Sequence, residues 1–83
     1  MRVDDRQIFA RIDALIAEER DLRARRSRGK IGAGAEAARL AELEKTLDQC
    51  WDLLRRRRAL RSLGENPDEA QIPPGSQLEG YLQ

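Results

Sequence analysis

The chain has 83 residues, enough for one small domain, and its 16 Lys plus Arg against 15 Asp plus Glu leave a net charge of +1. That near balance argues against a protein that grips phosphate backbones through a net field. One Cys and no His exclude an internal disulfide framework, a multi-Cys metal site within the chain and the commonest acid–base side chain. The opening Met1-Arg2-Val3-Asp4-Asp5 has no apolar h-region, and no apolar run approaches the roughly 18–20 residues a membrane span needs. A cytoplasmic protein is the expectation.

The first element reads as a helix over about 5–28. Asp4 is placed to cap it, with Gln7 at the third helical position as the return partner of a capping box. Val3 and Ile8 are spaced for a hydrophobic staple across that cap. Ile8, Ile12, Leu15 and Leu22 then recur at helical spacing, with Phe9 and Ile16 widening the stripe on one flank. Glu19 falls on the same stripe, where a polar group can fix register, and Lys45 or an Arg of a symmetry-related copy is its expected neighbour. Glu19–Arg23 and Asp21–Arg25 are i,i+4 pairs in the favourable order.

Gly29, Gly32 and Gly34 break the helical pattern, which predicts a loop over about 29–34. A second helix follows over about 35–63, with its stripe on Leu40, Leu43, Leu47, Cys50, Trp51 and Leu54. Gly64 stops it and Pro67 follows. Leu53, Leu60 and Leu63 lie off that stripe and suggest a second apolar surface. Residues 65–83 form a tail. Asn66-Pro67-Asp68-Glu69 has the order of a short helical turn, Pro73-Pro74-Gly75-Ser76 reads as turn or extended chain, and Leu78, Tyr81 and Leu82 are the available anchors.

A short connection between helices makes them antiparallel neighbours. Closing the hairpin about the glycines pairs positions whose numbers sum to roughly 65. Ile8 then lies near Arg57, Leu15 near Cys50 and Trp51, and Leu22 near Leu43. The basic end of the second helix comes to face Asp4, Asp5 and Asp13. The fold class expected is therefore all-α: an antiparallel, coiled-coil-like two-helix hairpin with a Pro-containing tail. The stripe is thin for the number of residues it must order, and small domains without staples often stabilise themselves by association. A homo-oligomer is expected, most simply a dimer forming a four-helix bundle. Ile8, Ile12, Leu15, Leu22, Leu43, Leu47, Trp51 and Leu54 are its core candidates, and Leu53, Leu60 and Phe9 candidates for the extra surface.

Candidate chemistry is sparse. Arg55-Arg56-Arg57-Arg58 could supply phosphate contacts, but successive helical residues point about 100° apart and form no one-sided groove. Arg57, Arg58 and Arg61 instead continue the stripe, where their stems cover core edges and their heads meet acids. Gly32-Ala33-Gly34-Ala35-Glu36-Ala37 formally fits a dinucleotide fingerprint, yet a helix rather than a strand precedes it. Cys50 and Trp51 could be a redox thiol and a ligand-binding indole, but both sit on the stripe and read as core. Glu44, Asp48 and Asp52 share a flank, and without His they read as a solvated acidic face rather than a metal site. No catalytic residue, cofactor or metal is expected.

Leu47-Asp48-Gln49-Cys50-Trp51-Asp52-Leu53-Leu54-Arg55 resembles the small actinobacterial proteins of domain-of-unknown-function family 2630. The likeness extends to Ile12-Asp13-Ala14-Leu15-Ile16-Ala17-Glu18-Glu19, to Gly64-Glu65-Asn66-Pro67-Asp68-Glu69-Ala70 and to Glu79-Gly80-Tyr81. It implies a short cytoplasmic protein and no activity that could be carried over. The functional expectation is a non-enzymatic hairpin that self-associates and docks a larger partner, with Arg55, Arg56, Leu78 and Tyr81 as partner-binding candidates. The alternative is a nucleic-acid or ribosome-associated factor using the Arg-rich helix ends.

Overall fold

The computed structural model describes residues 4–72 and Leu78. Helix α1 spans Asp5–Ser27, helix α2 spans Ala33–Ser62, and a 3₁₀ turn spans Pro67–Glu69. The two helices pack antiparallel as a hairpin, and the turn returns against α2. Among the described residues there is no strand and no helix long and apolar enough to cross a membrane.

Each boundary has a local cause. The Asp4 carboxylate accepts from the Gln7 backbone N–H at 2.8 Å, and the Asp4 N–H donates to the Gln7 side chain at 2.9 Å. These bonds satisfy two donors that a helix start leaves open. Val3, the other half of the expected staple, lies outside the described residues. Both helices end alike. Lys30 N–H donates to Arg25 C=O and Gly29 N–H to Arg26 C=O; Glu65 N–H donates to Leu60 C=O and Gly64 N–H to Arg61 C=O. This paired pattern needs a left-handed residue after the cap, and Gly29 (φ 71°) and Gly64 (φ 74°) provide it. Helix α2 begins two residues before its expected start and takes Gly34 into its first turn. The N–H groups there have no intrahelical partner to lose.

Between the helices lies a single seam. Ile8, Ile12, Leu15 and Leu22 of α1 meet Leu43, Thr46, Cys50 and Leu53 of α2, all buried. Leu78 joins this cluster fully buried, and Ala70 and Ile72 pack against it. Ala70, Ile72 and Leu78 therefore close one side of the hairpin. The seam of α2 is rotated from the expected one. Leu43, Thr46, Cys50, Leu53 and Arg57 face α1, at alternating spacings of three and four. Two polar members disguise it in the sequence. The Thr46 hydroxyl donates to the Glu42 carbonyl one turn back at 3.0 Å, and Arg57 pairs with the carboxylates of Asp5 and Asp68. Leu53, expected on a separate surface, is core. Trp51, expected in the core, stands 43% exposed. One residue from Cys50 is about 100° of rotation, and that carries the indole out of the interhelical seam.

Candidate functional site

Two features stand out on the hairpin: a buried ionic clamp at its open end and an apolar face on the side opposite the tail. Arg57 forms the clamp. Its Nε donates to Asp5 Oδ1 at 2.6 Å and its Nη1 to Asp68 Oδ1 at 2.9 Å. Arg61 adds a 3.0 Å bond to the other Asp5 oxygen. One planar guanidinium thus ties α1, α2 and the 3₁₀ turn together, a task for which its fixed fork of donors is suited. Asn66 holds the turn in place by accepting from the Asp68 N–H at 3.0 Å. The Arg57 hydrogen bond holds the Asp5 carboxyl below its ordinary value of 3.8, against the opposing effect of burial and with Arg61 assisting. Burial works against charge on Arg57, but Asp5 and Asp68 outweigh it and raise its pKa.

The sequence sets the basic end of α2 against Asp4, Asp5 and Asp13, and the structure pairs Arg57 and Arg61 with Asp5. Sequence reasoning does not anticipate Asp68, which pairs with Arg57 only because the chain turns back at Pro67. The available signal was the Asn66-Pro67-Asp68 order itself, which builds a turn with a carboxylate on its second residue.

The second feature is a face of exposed apolar residues. Phe9 (46% exposed), Ile16 (37%) and Trp51 (43%) share it, with half-buried Leu47 and Leu54 at its base. Phe9 and Trp51 meet edge to face, their ring centres 6.3 Å apart and their planes at 76°, the arrangement ring quadrupoles favour. Beside them a cleft of about 190 Å³ is lined by Asp5, Phe9, Trp51, Leu54, Arg55, Arg58 and Arg61. On the other side of the indole, Lys45, Asp48, Gln49, Asp52 and Arg55 line a shallower depression with Trp51. Arg58 forms no ion pair among the described residues, and Arg55 reaches Asp52 only at 3.8 Å.

The remaining candidates disperse. Ile8, Ile12, Leu15, Leu22 and Leu43 are buried, and Leu47 and Leu54 are half-buried. Arg56 turns to Asp52 at 3.0 Å, on the flank where Leu60, Ala59, Ala70 and Gln71 border another shallow depression. Arg55 and Arg56 thus both reach Asp52 but line different depressions. Leu78, a partner-binding candidate, is instead buried in the chain's own core, packed with the α1 and α2 residues of the seam. Tyr81 lies outside the described residues. Of the residues expected on an extra surface, Leu53 is core, Leu60 is half-buried beside the tail, and Phe9 remains exposed. Glu19 bonds Arg23 at 3.3 Å, while its neighbour Glu18 bridges the helices by accepting from Arg39 at 2.7 and 3.1 Å. Burial pushes the Cys50 thiol pKa up, with the Arg11 charge partly offsetting it, so this thiol is poorly suited to act as a nucleophile.

These features define a helical-hairpin protein in which Ala70, Ile72 and Leu78 cover one face, while among the described residues nothing covers the face that carries Phe9 and Trp51. The chain belongs to the family described as protein of unknown function (DUF2630), which it matches over residues 4–83. It is 49% identical over 77 residues to an uncharacterized protein of Mycobacterium bovis and to uncharacterized proteins of two Mycobacterium tuberculosis strains. Each alignment covers 93% of this chain and 88% of the relative. No solved structure matches.

Proposed function

We propose that this chain is a non-enzymatic cytoplasmic assembly protein that self-associates through its open face and presents the resulting bundle to a larger partner. The observation that carries the reading is the Phe9–Ile16–Trp51 cluster. Three large apolar side chains share one side of a hairpin only about 20 Å thick. Contiguous exposed apolar groups of this kind mark interaction surfaces more often than scattered ones do. A two-helix seam plus one tail anchor is also a small core for a chain of this length, and association adds burial where the chain itself cannot. Packing two open faces together would make a four-helix bundle.

Sedimentation across a micromolar concentration series tests the reading. A species of twice the 9.5 kDa chain mass is expected, and it should revert to monomer in Phe9→Ser/Trp51→Ser while helicity is retained. A wild-type chain that stays monomeric at the top of the series overturns it.

A second reading has one observation in its favour. Trp51 lies beside Arg55, with Arg58 on the same cleft, and an aromatic next to cations can stack a base and hold its phosphate. Binding to a single-stranded RNA oligonucleotide that falls steeply with salt, and is lost in Trp51→Ala and Arg55→Ala, would favour it. The acids Asp48 and Asp52 on the same surface count against it.

A further inference from the structure

We infer that the second copy docks antiparallel, with a two-fold axis passing between the two α2 helices at the level of Trp51, and that the charges flanking the indole set this alignment. The inference rests on the self-association reading above and specifies its geometry.

On the open side of α2 run Leu40, Glu44, Leu47, Trp51, Leu54 and Arg58, at alternating spacings of four and three. That is the spacing of a helix-pairing seam, displaced about 100° from the seam α2 uses for α1. Along the seam and its near flank the charges are ordered. Glu44 and Asp48 precede Trp51, and Arg55 and Arg58 follow it. Lys45 and Asp52, which border the same indole, lie about 100–120° round the helix from it. Glu44 and Arg58 stand seven residues, about 10.5 Å, to either side of Trp51. Asp48 and Arg55 stand three and four residues away, on one flank of the seam.

A two-fold axis perpendicular to α2 reverses the helix direction and brings each flank against itself. Placed at Trp51, it sets Glu44 opposite Arg58 of the second copy, Asp48 opposite Arg55, and Leu47 opposite Leu54. Each contact then occurs twice. The same axis lays α1 over α1 of the second copy and brings Phe9 and Ile16 into the interface.

The charges involved are available for it. Glu44, Asp48 and Arg58 form no ion pair among the described residues, and Arg55 is held only at 3.8 Å by Asp52. An acidic peptide or a nucleic acid would satisfy the basic half of this face and be repelled by the acidic half. A second copy satisfies both. From Leu40 to Arg61 the band is about 32 Å long, and the hairpin is about 20 Å across. That offers on the order of 600 Å² per partner, at the lower edge of stable interfaces, so the charge pairs have an aligning effect on a modest apolar contact.

Reversing the halves separately tests the geometry. Glu44→Arg/Asp48→Arg and Arg55→Glu/Arg58→Glu each place like charges opposite one another, and each alone should dimerise at least about tenfold more weakly than wild type. An equimolar mixture of the two should recover the dimeric mass as a heterodimer. A chain carrying all four changes restores the pattern with reversed sign and should dimerise by itself, which covers a double variant that fails to fold. Should the wild type dimerise while neither the mixture nor the fourfold variant does, the axis is elsewhere: a parallel pair, which sets α2 against α1 of the second copy, gains nothing from the mixture. A monomeric wild type defeats the self-association reading as well.

Discussion

On one side of the hairpin, Ala70, Ile72 and Leu78 pack over a cluster that includes Leu53 and Cys50. On the other, Phe9, Ile16 and Trp51 carry comparable apolar bulk and remain exposed. Hydrophobicity therefore does not tell the two sides apart; what does is whether the chain returns to cover them. The covered side is secured by Arg57, whose two carboxylate partners come from α1 and from the turn that starts the return. Among the described residues the open side has no comparable closure, and we propose that a second copy supplies it.

Neighbouring residues allow the contrast to be broken. Leu53→Ala removes a buried side chain from the shared core and should cost about 2–5 kcal/mol, enough to unfold much of the population of so small a domain in a thermal melt. Trp51→Ala, two residues earlier, should leave monomer stability nearly unchanged and act on the concentration dependence of the melt instead. Equal losses at both positions would erase the distinction between the faces.

Arg57→Ala comes next. It leaves two carboxylates without their common partner, but Asp5 and Asp68 keep 35% and 31% of their side chains exposed. A loss of about 1–3 kcal/mol is expected in chemical denaturation, below the full cost of a buried orphan charge. Limited proteolysis of the tail should accelerate, because Asp68 loses its 2.9 Å bond to Arg57 of α2. Gly64→Ala should cost about 1 kcal/mol, since φ 74° there strains any side chain, and it should affect folding without altering the open face.

The smallest effect is the pH dependence of the clamp. Asp5 has a folded pKa below its ordinary 3.8, so the folded state binds its proton less readily than the unfolded chain does. The stabilisation is complete above the unfolded value and disappears as pH falls through the folded one, so the loss should develop below about pH 4. Asp5→Asn should flatten that acid limb by less than about 1 kcal/mol, because the group is partly solvated. The acid limb of wild-type unfolding, compared with that of the variant, checks this.

Much of this architecture is written locally. The Asp4–Gln7 box, the left-handed glycines at both helix ends and the α1 stripe follow from short-range rules, and the structure contains them. The α2 seam is harder to read because two of its members are polar. Thr46 becomes acceptable through its own helix backbone and Arg57 through residues 52 positions before and 11 after it. Periodicity alone favours the more apolar neighbouring positions and so puts Trp51 inside and Leu53 outside. Leu78 is left open by the sequence for a related reason: whether a lone tail leucine docks at home or on a partner depends on long-range closure, which spacing does not encode. The open face is legible only in part, as Phe9 and Ile16 flanking a stripe; its aromatic contact with Trp51 needs the folded register.

Trp51 is the only tryptophan, so acrylamide quenching of its fluorescence across a dilution series reports the open face directly. The indole should be readily quenched in the dilute monomer and become protected over the same concentrations at which the sedimenting mass doubles. Quenching that stays constant while the mass doubles, or an indole already shielded in the monomer, would contradict the division of the hairpin into a face the chain covers itself and a face it leaves for a second copy.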